Sequence, residues 1–300
     1  MMLKLILIIT FCAPSLSEVE HAYTAVLHYS VVGRGTVSDD LAAEWDAPKM
    51  RGHKYILLQP GSAANIYLRF IQEAAPESYR PMSTFGWNAT EMLVQDPDAL
   101  AREIRQPGSG FQVVGEPRPL GAGSQIRAMQ AVGPAHEVLY LTRVAAGTPP
   151  MYSARSFVDR PFIVILGSRD LDETRRFLRE RLTLESSSFG PARMTVLNKA
   201  FGLDIETTHP LAVARISPEY SMELDQYPPQ ATERSRRPGE LPPAMAIVTF
   251  EVESLQPLKT LWLTPPRPIA TAPYRGRRAV SIRGSTGELI ELVEAGSTPR

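Results

Sequence analysis

Four short segments of this chain share one pattern, an apolar residue, a variable residue and a leucine. They are Ile66-Tyr67-Leu68, Leu139-Tyr140-Leu141, Met222-Glu223-Leu224 and Ile290-Glu291-Leu292. Their central residues, 67, 140, 223 and 291, lie 73, 83 and 68 positions apart. Repetition at this scale constrains architecture more than any single motif, because each copy must be one supersecondary unit that cannot bury its apolar face alone. Each segment reads as the closing strand of a unit, and each is preceded by a strand–helix signal. In the second copy, residues 90–94 read as a strand, Asp96 as an N-cap and Pro97 as the first helical residue. Leu100 and Ile104 then form the helix's apolar face. The third copy repeats the design. A β-rich FIVIL run begins at Phe162, Asp170 caps a helix with Glu173 three residues on, and Leu171, Phe177, Leu178 and Leu182 form the buried stripe. The outer copies are looser. Residues 26–32 read as a strand, and Ser38 caps a helix that buries Leu41 and Trp45. Residues 247–252 read as a strand, and Ser254 caps a helix carrying Leu258, Leu261 and Trp262. Short apolar runs follow each helix, among them GFQVV, QIRAMQAV, RMTVLNKA and LAVARIS. Each unit therefore reads β-α-β-β-β.

The chain has 300 residues, 43% of them apolar, which allows about two domains with real cores. Lys+Arg and Asp+Glu both total 32, so the formal charge is zero. That balance argues against a general nucleic-acid binder or an anionic-membrane binder. The 27 prolines punctuate the segments between units. Residues 73–84 separate units one and two, and 227–243 separate units three and four. Residues 145–156 read as the inter-domain linker. The ERSRR stretch within 227–243 reads as a solvated loop rather than an anion-binding lid. Residues 296–300 form a short polar tail.

The N-terminus, MMLKLILIITFCAPSLSEVE, resembles a secretory signal peptide. Lys4 supplies a minimal positive region, residues 5–11 an apolar run, and Ser15-Leu16-Ser17 the small residues before a cut at Glu18. The competing reading is a leading apolar strand of the fold. On the first reading, residues 1–17 are removed, the protein is secreted or periplasmic, and the only cysteine, Cys12, leaves with the leader. The mature chain would then have no disulfide, thiolate nucleophile or Cys-ligated zinc. No later segment is long and apolar enough for a membrane span.

Four βαβββ units in a chain of this length resemble the vicinal oxygen chelate superfamily, which includes glyoxalase I, bleomycin- and fosfomycin-resistance proteins and extradiol dioxygenases. The segments that carry the likeness are VQDPDALAREI, SRDLDETRRFLRERL and above all the closing GSTGELIELVEA. The resemblance implies an α+β fold in which units pair into two curved, partly open barrels, each with a cup. Taking neighbours as pairs gives an N-terminal domain over 18–146 and a C-terminal domain over 157–296. Pairing across a homodimer is the other arrangement. The implied partner is a small organic molecule.

In metal-using members the ligands sit near the start of the first strand and in the middle of the last strand of each unit. Those positions fall on His28 and Tyr67, Ala89 and Tyr140, Ile163 and Glu223, and Ile247 and Glu291. Metal sites of this kind need convergent imidazole and carboxylate groups. One His with two Tyr, and two Glu with two Ile, do not supply them. No metal cofactor is expected, since two carboxylates would hold a hard cation only weakly.

Glu291 sits mid-strand with Leu289 and Val293 on its own face, which suits a paired carboxylate or a general acid or base. Glu223 is its expected catalytic partner, flanking the same cup. His28, Tyr67, Arg69 and Tyr140 are the expected ligand-binding residues, Arg69 as an anion holder. No strand–GxGxxG–helix or GxSxG context is present, so neither a dinucleotide site nor a hydrolase triad is indicated. Three function classes follow from the resemblance: metal-independent acid/base chemistry of lyase or isomerase type, non-catalytic sequestration, or a divergent metal-dependent lyase or dioxygenase.

Overall fold

The computed structural model describes residues 3–121, 124–144 and 153–296. Its first element is the apolar run that resembles a leader. Strand β1 (Leu3–Ala13) is buried along most of its length. Helix α1 (Leu16–Ala25) follows, and the Ser15 hydroxyl accepts a hydrogen bond from the Glu18 amide at 3.3 Å. The small polar residues that suit a cleavage site also suit a helix N-cap, and here they form the cap. The secreted or periplasmic expectation rested on this segment alone. A cut before Glu18 would remove a strand hydrogen-bonded on both edges.

Unit one continues with β2 (Ser30–Thr36), α2 (Asp39–Glu44), β3 (Lys54–Gln59) and β4 (Tyr67–Gln72). Its opening strand is therefore β1, not residues 26–32. Unit two comprises β5 (Gly86–Val94), α3 (Pro97–Ile104), β6 (Gln112–Pro119), β7 (Ile126–Val132) and β8 (Val138–Val144). Unit three comprises β9 (Val158–Ser168), α4 (Leu171–Leu182), β10 (Ser186–Arg193), α5 (Thr195–Phe201), β11 (Thr208–Ser217) and β12 (Tyr220–Gln226). Unit four comprises β13 (Ala244–Val252), a 3₁₀ turn at Gln256–Leu261, β14 (Arg267–Pro268), β15 (Arg278–Arg283) and β16 (Leu289–Glu294). Asp96 and Asp170 cap α3 and α4 as the sequence indicates. The run RMTVLNKA forms α5 rather than a strand. Gly202 ends it in the left-handed conformation (φ 63°), and burial of Val196 and Leu197 overrides local β-propensity.

The units do not pair with their neighbours. Units one and four share one eight-stranded sheet, in the order β14-β15-β16-β13-β1-β4-β3-β2. Units two and three share the other, in the order β10-β11-β12-β9-β5-β8-β7-β6. The domains expected over 18–146 and 157–296 are thus replaced by an outer pair and an inner pair. Residues 145–156, expected between domains, join two units of one sheet. Of these, 145–152 lie outside the described residues, as do 297–300 of the expected tail. Each sheet is centred on an antiparallel pairing of first strands, β1 with β13 and β5 with β9.

One face of each sheet packs against the other sheet and the helices. This shared core includes Ile9, Phe70, Val164 and Phe250 from the strands, and Tyr23, Leu100 and Leu178 from α1, α3 and α4. Buried polar contacts latch the sheets together. Trp87 donates to the Leu289 carbonyl at 2.7 Å, and Tyr29 donates to the Asp159 carbonyl at 2.6 Å. Arg234 of the ERSRR stretch is another latch rather than a solvated charge. It donates to Thr84 Oγ1 (2.9 Å), Asn88 Oδ1 (3.0 Å) and the Met245 carbonyl (2.8 Å). The opposite face of each sheet forms a cup. Among the described residues no helix is long and apolar enough to cross a membrane.

Two outcomes test this architecture. A chain beginning at Glu18 is expected to lose cooperative thermal unfolding, because the β1 edges of β4 and β13 are left bare. A cooperatively melting protein from that deletion would overturn the strand assignment. Buried Glu137 accepts from Tyr23 Oη (2.9 Å) and the Ala135 amide (2.7 Å), and burial raises its pKa to about 7. A raised folded pKa stabilises below the unfolded value and the benefit is lost as pH rises. Denaturant titrations between pH 4.5 and 8 should show stability falling, with up to about 3 kcal/mol from this group. Glu137→Gln should flatten that slope.

Candidate functional site

Strand register locates the four positions that face the centre of each cup. In the first sheet, Ile9 pairs with Val248, Thr10 with Arg69 and Thr249 with Glu291. A local two-fold through Ile9 and Val248 therefore relates Thr10 to Thr249 and Arg69 to Glu291. In the second sheet, Thr90 pairs with Val164, Glu91 with Tyr140 and Ile165 with Glu223. The same symmetry relates Glu91 to Ile165 and Tyr140 to Glu223. The expected positions Tyr67, Ala89, Ile163 and Ile247 are each two residues away along their strands. Tyr140, Glu223 and Glu291 fall where the sequence places them. Glu223 and Glu291 do not share a cup, because units three and four lie in different sheets.

The cup of units one and four is filled by its own side chains. Arg69, 2% exposed, donates to Thr10 Oγ1 from Nε (3.1 Å) and Nη2 (2.8 Å), and to Tyr274 Oη from Nη1 (2.9 Å). Glu291, fully buried, accepts from Trp45 Nε1 at 2.9 Å and from the Thr249 hydroxyl. Tyr274 Oη lies 2.8 Å from both Glu291 oxygens. The guanidinium sits 3.9 Å from Glu291 and 4.6 Å above the Trp45 ring. Helix α2 supplies Glu44 and leads into Trp45, and the segment before β15 supplies Tyr274, so two elements plug the cup. The Glu44 carboxyl lies against Glu291 and the Ser281 hydroxyl. Burial first, and Glu291 beside it second, push its pKa well up and favour the neutral acid. Glu291 is thus a satisfied ion-pair member rather than an acid or base open to a ligand. Arg69 is held by the protein itself.

The cup of units two and three is open. Its cavity of ≈ 330 Å³ is lined by Glu91, Tyr140 and Glu223 at the sheet, and by Gln130, Met194, Val196 and Leu211 along the walls. Arg118, Leu120 and Arg193 stand at the same cavity. Glu91 accepts from the Thr142 hydroxyl. Its pKa is pushed up to about 8, by burial first and then by Glu223. Asp225 lies two residues from Glu223 on the same strand face. Burial raises its pKa to about 7. Glu223 is raised well above the carboxylate range by burial and by Asp225. Burial and these carboxyls also raise Tyr140. A carboxyl raised to about 8, as Glu91 is, can exchange protons with a bound molecule at physiological pH.

His28 belongs to neither cup. It lies in the α1–β2 turn with φ 56°, its side chain 56% exposed and 3.9 Å from Glu103. Tyr67 packs within the filled cup, its hydroxyl 3.4 Å from Asn65 Oδ1. Sequence reasoning misses Glu91 and undervalues Asp225. The signal for Glu91 is present: in ATEMLV it is a lone carboxylate within an apolar strand, just as Glu291 is in LIELV.

Neither donor set fits the transition metal of the resembled family. In the filled cup a guanidinium occupies the symmetry position opposite Glu291, and both Glu291 oxygens are already bonded. In the open cup Ile165 cannot ligate. Among the described residues no three His, Cys, Asp or Glu side chains converge as a metal site.

No protein-family model and no curated protein matches the chain. Solved structures do. Glyoxalase I from Zea mays superposes with a TM-score of 0.65 at 17% identity, covering 96% of this chain and 92% of that one. A point mutant of the same maize enzyme superposes with 0.66 at 16% identity, covering 96% and 93%. A candidate dioxygenase from Bacillus subtilis superposes with 0.60 at 14% identity, covering 98% and 86%. At such identities the likeness is one of fold. The chain is therefore an α+β protein with the vicinal oxygen chelate fold, in which four units build two curved mixed sheets, neither closed into a barrel.

Proposed function

We propose that the protein binds a small organic molecule in the cup of units two and three, and that Glu223 and Glu91 transfer protons to and from it. The observation that carries this reading is the contrast between the cups. One is plugged and internally neutralised, whereas the other keeps a cavity of ≈ 330 Å³ with carboxyls of raised pKa at its floor. That volume lies in the range of small-molecule sites, which combine apolar walls with a few polar groups. A pair of carboxyls with perturbed, coupled pKa values can keep one member protonated while the other is ionised. That division suits metal-independent proton abstraction and return, the chemistry of a lyase or isomerase. Tyr140 and Gln130 are placed to hold polar atoms of the ligand, and Leu120, 58% exposed, offers an apolar lip.

The test separates the two cups. Ala192→Trp fills the open cavity from β10 and should abolish binding of any small molecule that stabilises the wild type in a thermal-shift screen. Binding that survives this substitution would overturn the assignment. Glu223→Gln and Glu91→Gln should each lower turnover by about 10²-fold or more while leaving the fold intact. A ligand recovered chemically unchanged, with those variants equal to wild type, would reduce the protein to sequestration. In the wild type, the pH–rate profile should show limbs near neutrality that belong to the cluster rather than to one residue.

Arg69→Met should behave differently. It leaves Glu291 buried without its cation, so a loss of about 3–5 kcal/mol is expected in denaturant unfolding. Ligand affinity of the remaining folded protein should not change. The double variant Arg69→Met/Glu291→Leu should recover much of that loss, because removing both charges also removes the desolvation cost.

A further inference from the structure

A second, smaller cavity of ≈ 80 Å³ lies where the two sheets meet. Gly86 and Trp87 of β5 line it from one sheet, and Met245 and Ala246 of β13 with the turn between β15 and β16 line it from the other. The cavity exceeds the roughly 15 Å³ that one water needs and falls far below the roughly 300 Å³ at which sites for organic molecules begin. Three guanidinium side chains line it, those of Arg234, Arg236 and Arg283.

These arginines differ in what holds them. Arg234 is bonded to the Thr84 hydroxyl, Asn88 Oδ1 and the Met245 carbonyl. Arg236, from the same ERSRR stretch, has 17% of its side chain exposed and donates from Nη2 to the Asp46 carbonyl at 2.6 Å. Its Nη1 is buried without a hydrogen-bond partner among the described residues. A buried donor left so is costly, and more so when it is charged. Arg283 stands near enough that, after burial, it is the second cause lowering the Arg236 pKa. The carboxylate beside both is Asp46, 3.9 Å from Arg236 and 4.0 Å from Arg283, beyond hydrogen-bond reach of either.

The acids of the cavity do not take that role. Glu233 is paired with Arg169. Glu288 turns back into its own hairpin, where Oε2 accepts from the Thr286 amide at 2.9 Å and hydroxyl at 2.6 Å. Its Oε1 lies over Gly284, where a Cβ would collide with it. Burial raises the Glu288 pKa, which weakens it as a counter-ion. Two like charges therefore stand together at a cavity that brings no free carboxylate to them.

We propose that this cavity binds a phosphoryl oxyanion, as inorganic phosphate or as the phosphate of a small monoester, between Arg236 and Arg283. A tetrahedral oxyanion offers enough acceptors to take the buried Nη1 and the second guanidinium at once, in the fork geometry that suits arginine. Its charge also offsets the repulsion between them. The cavity shares no lining residue with the cup of units two and three, so the assignment does not depend on the reading of that cup. Arg236 comes from the segment between units three and four, Arg283 from β15, and β5 belongs to the other sheet, so an occupant bridges elements that meet only in the folded chain.

The experiment is a calorimetric titration and thermal melt of the full chain with phosphate, acetate and chloride at constant ionic strength, which holds general screening fixed. Phosphate should bind about tenfold or more tightly than acetate, and at saturation should raise the melting temperature by about 3 °C or more. Arg236→Gln and Arg283→Gln should each weaken phosphate binding by about tenfold or more, measured against each variant's own phosphate-free baseline. Arg283 is the more exposed of the two, so its variant keeps the test decisive if Arg236→Gln does not fold. Phenyl phosphate distinguishes the sources of the ligand. Affinity equal to that of phosphate makes a monoester the occupant, weaker affinity makes it the free ion, and the site stands in both cases. No phosphate binding at millimolar concentration, equal effects of phosphate and chloride, or wild-type phosphate affinity in the Arg283→Gln variant would each overturn the assignment. Loss of phosphate binding in Arg118→Gln instead would move the anion to the open cup and overturn it as well.

Discussion

The antiparallel pairing of β1 with β13 is the contact on which this molecule depends. It joins the first and last units of the chain and leaves the middle two to pair through β5 and β9. Every cup-facing residue takes its place from these two seams. A sheet period of two means that register decides which side chains meet, and a local two-fold across each seam doubles whatever it places there. The β1–β13 seam brings Thr10, Arg69, Thr249 and Glu291 together. The β5–β9 seam brings Glu91, Tyr140, Ile165 and Glu223 together. Residues more than two hundred positions apart are thus partners, while Glu223 and Glu291 are separated.

The two cups handle charge in opposite ways. In the cup of units one and four, a buried arginine faces a buried glutamate, and hydroxyls and an indole N–H take up the remaining bonds. A pair so fully satisfied is weak evidence for net stability but strong evidence for a closed, specific arrangement. The guanidinium occupies the closing-strand position that the local two-fold relates to Glu291. In the cup of units two and three Arg118 and Arg193 stand at the cavity, but neither pairs with Glu91 or Glu223, and burial raises the pKa values of these carboxyls. One sheet therefore pairs its charges with each other, whereas the other leaves Glu91 and Glu223 lining a cavity.

Much of the fold is legible in the chain. The four apolar-X-leucine segments are the closing strands or border them, and Asp96, Asp170 and Ser38 cap helices as their positions indicate. The opening of unit one is not legible. An apolar run followed by small polar residues satisfies both a leader and a strand with an N-capped helix, and its pairing between β4 and β13 is visible only in the folded chain. Without that strand, unit one begins too late. His28 then falls on a ligand position, although it lies in an exposed turn. Tyr67 stands in for Arg69 through the same two-residue slip that hides Glu91 behind Ala89. Alternation along a strand shows which residues share a face, but not which of them stands at the centre of the sheet.

By itself the sequence determined the repeat, the strand–helix order of its inner copies and the presence of carboxylates within otherwise apolar strands. Those features are local, set by hydrophobic period and capping chemistry. Only the tertiary structure decided which units share a sheet, because all four first strands offer similar apolar edges and pairing between them is long-range. It likewise decided what surrounds each carboxylate. Glu291 met Arg69 in a filled cup, whereas Glu223 met Glu91 at an open cavity and Asp225 along its own strand. The difference is the charge of the neighbour that folding placed opposite each one.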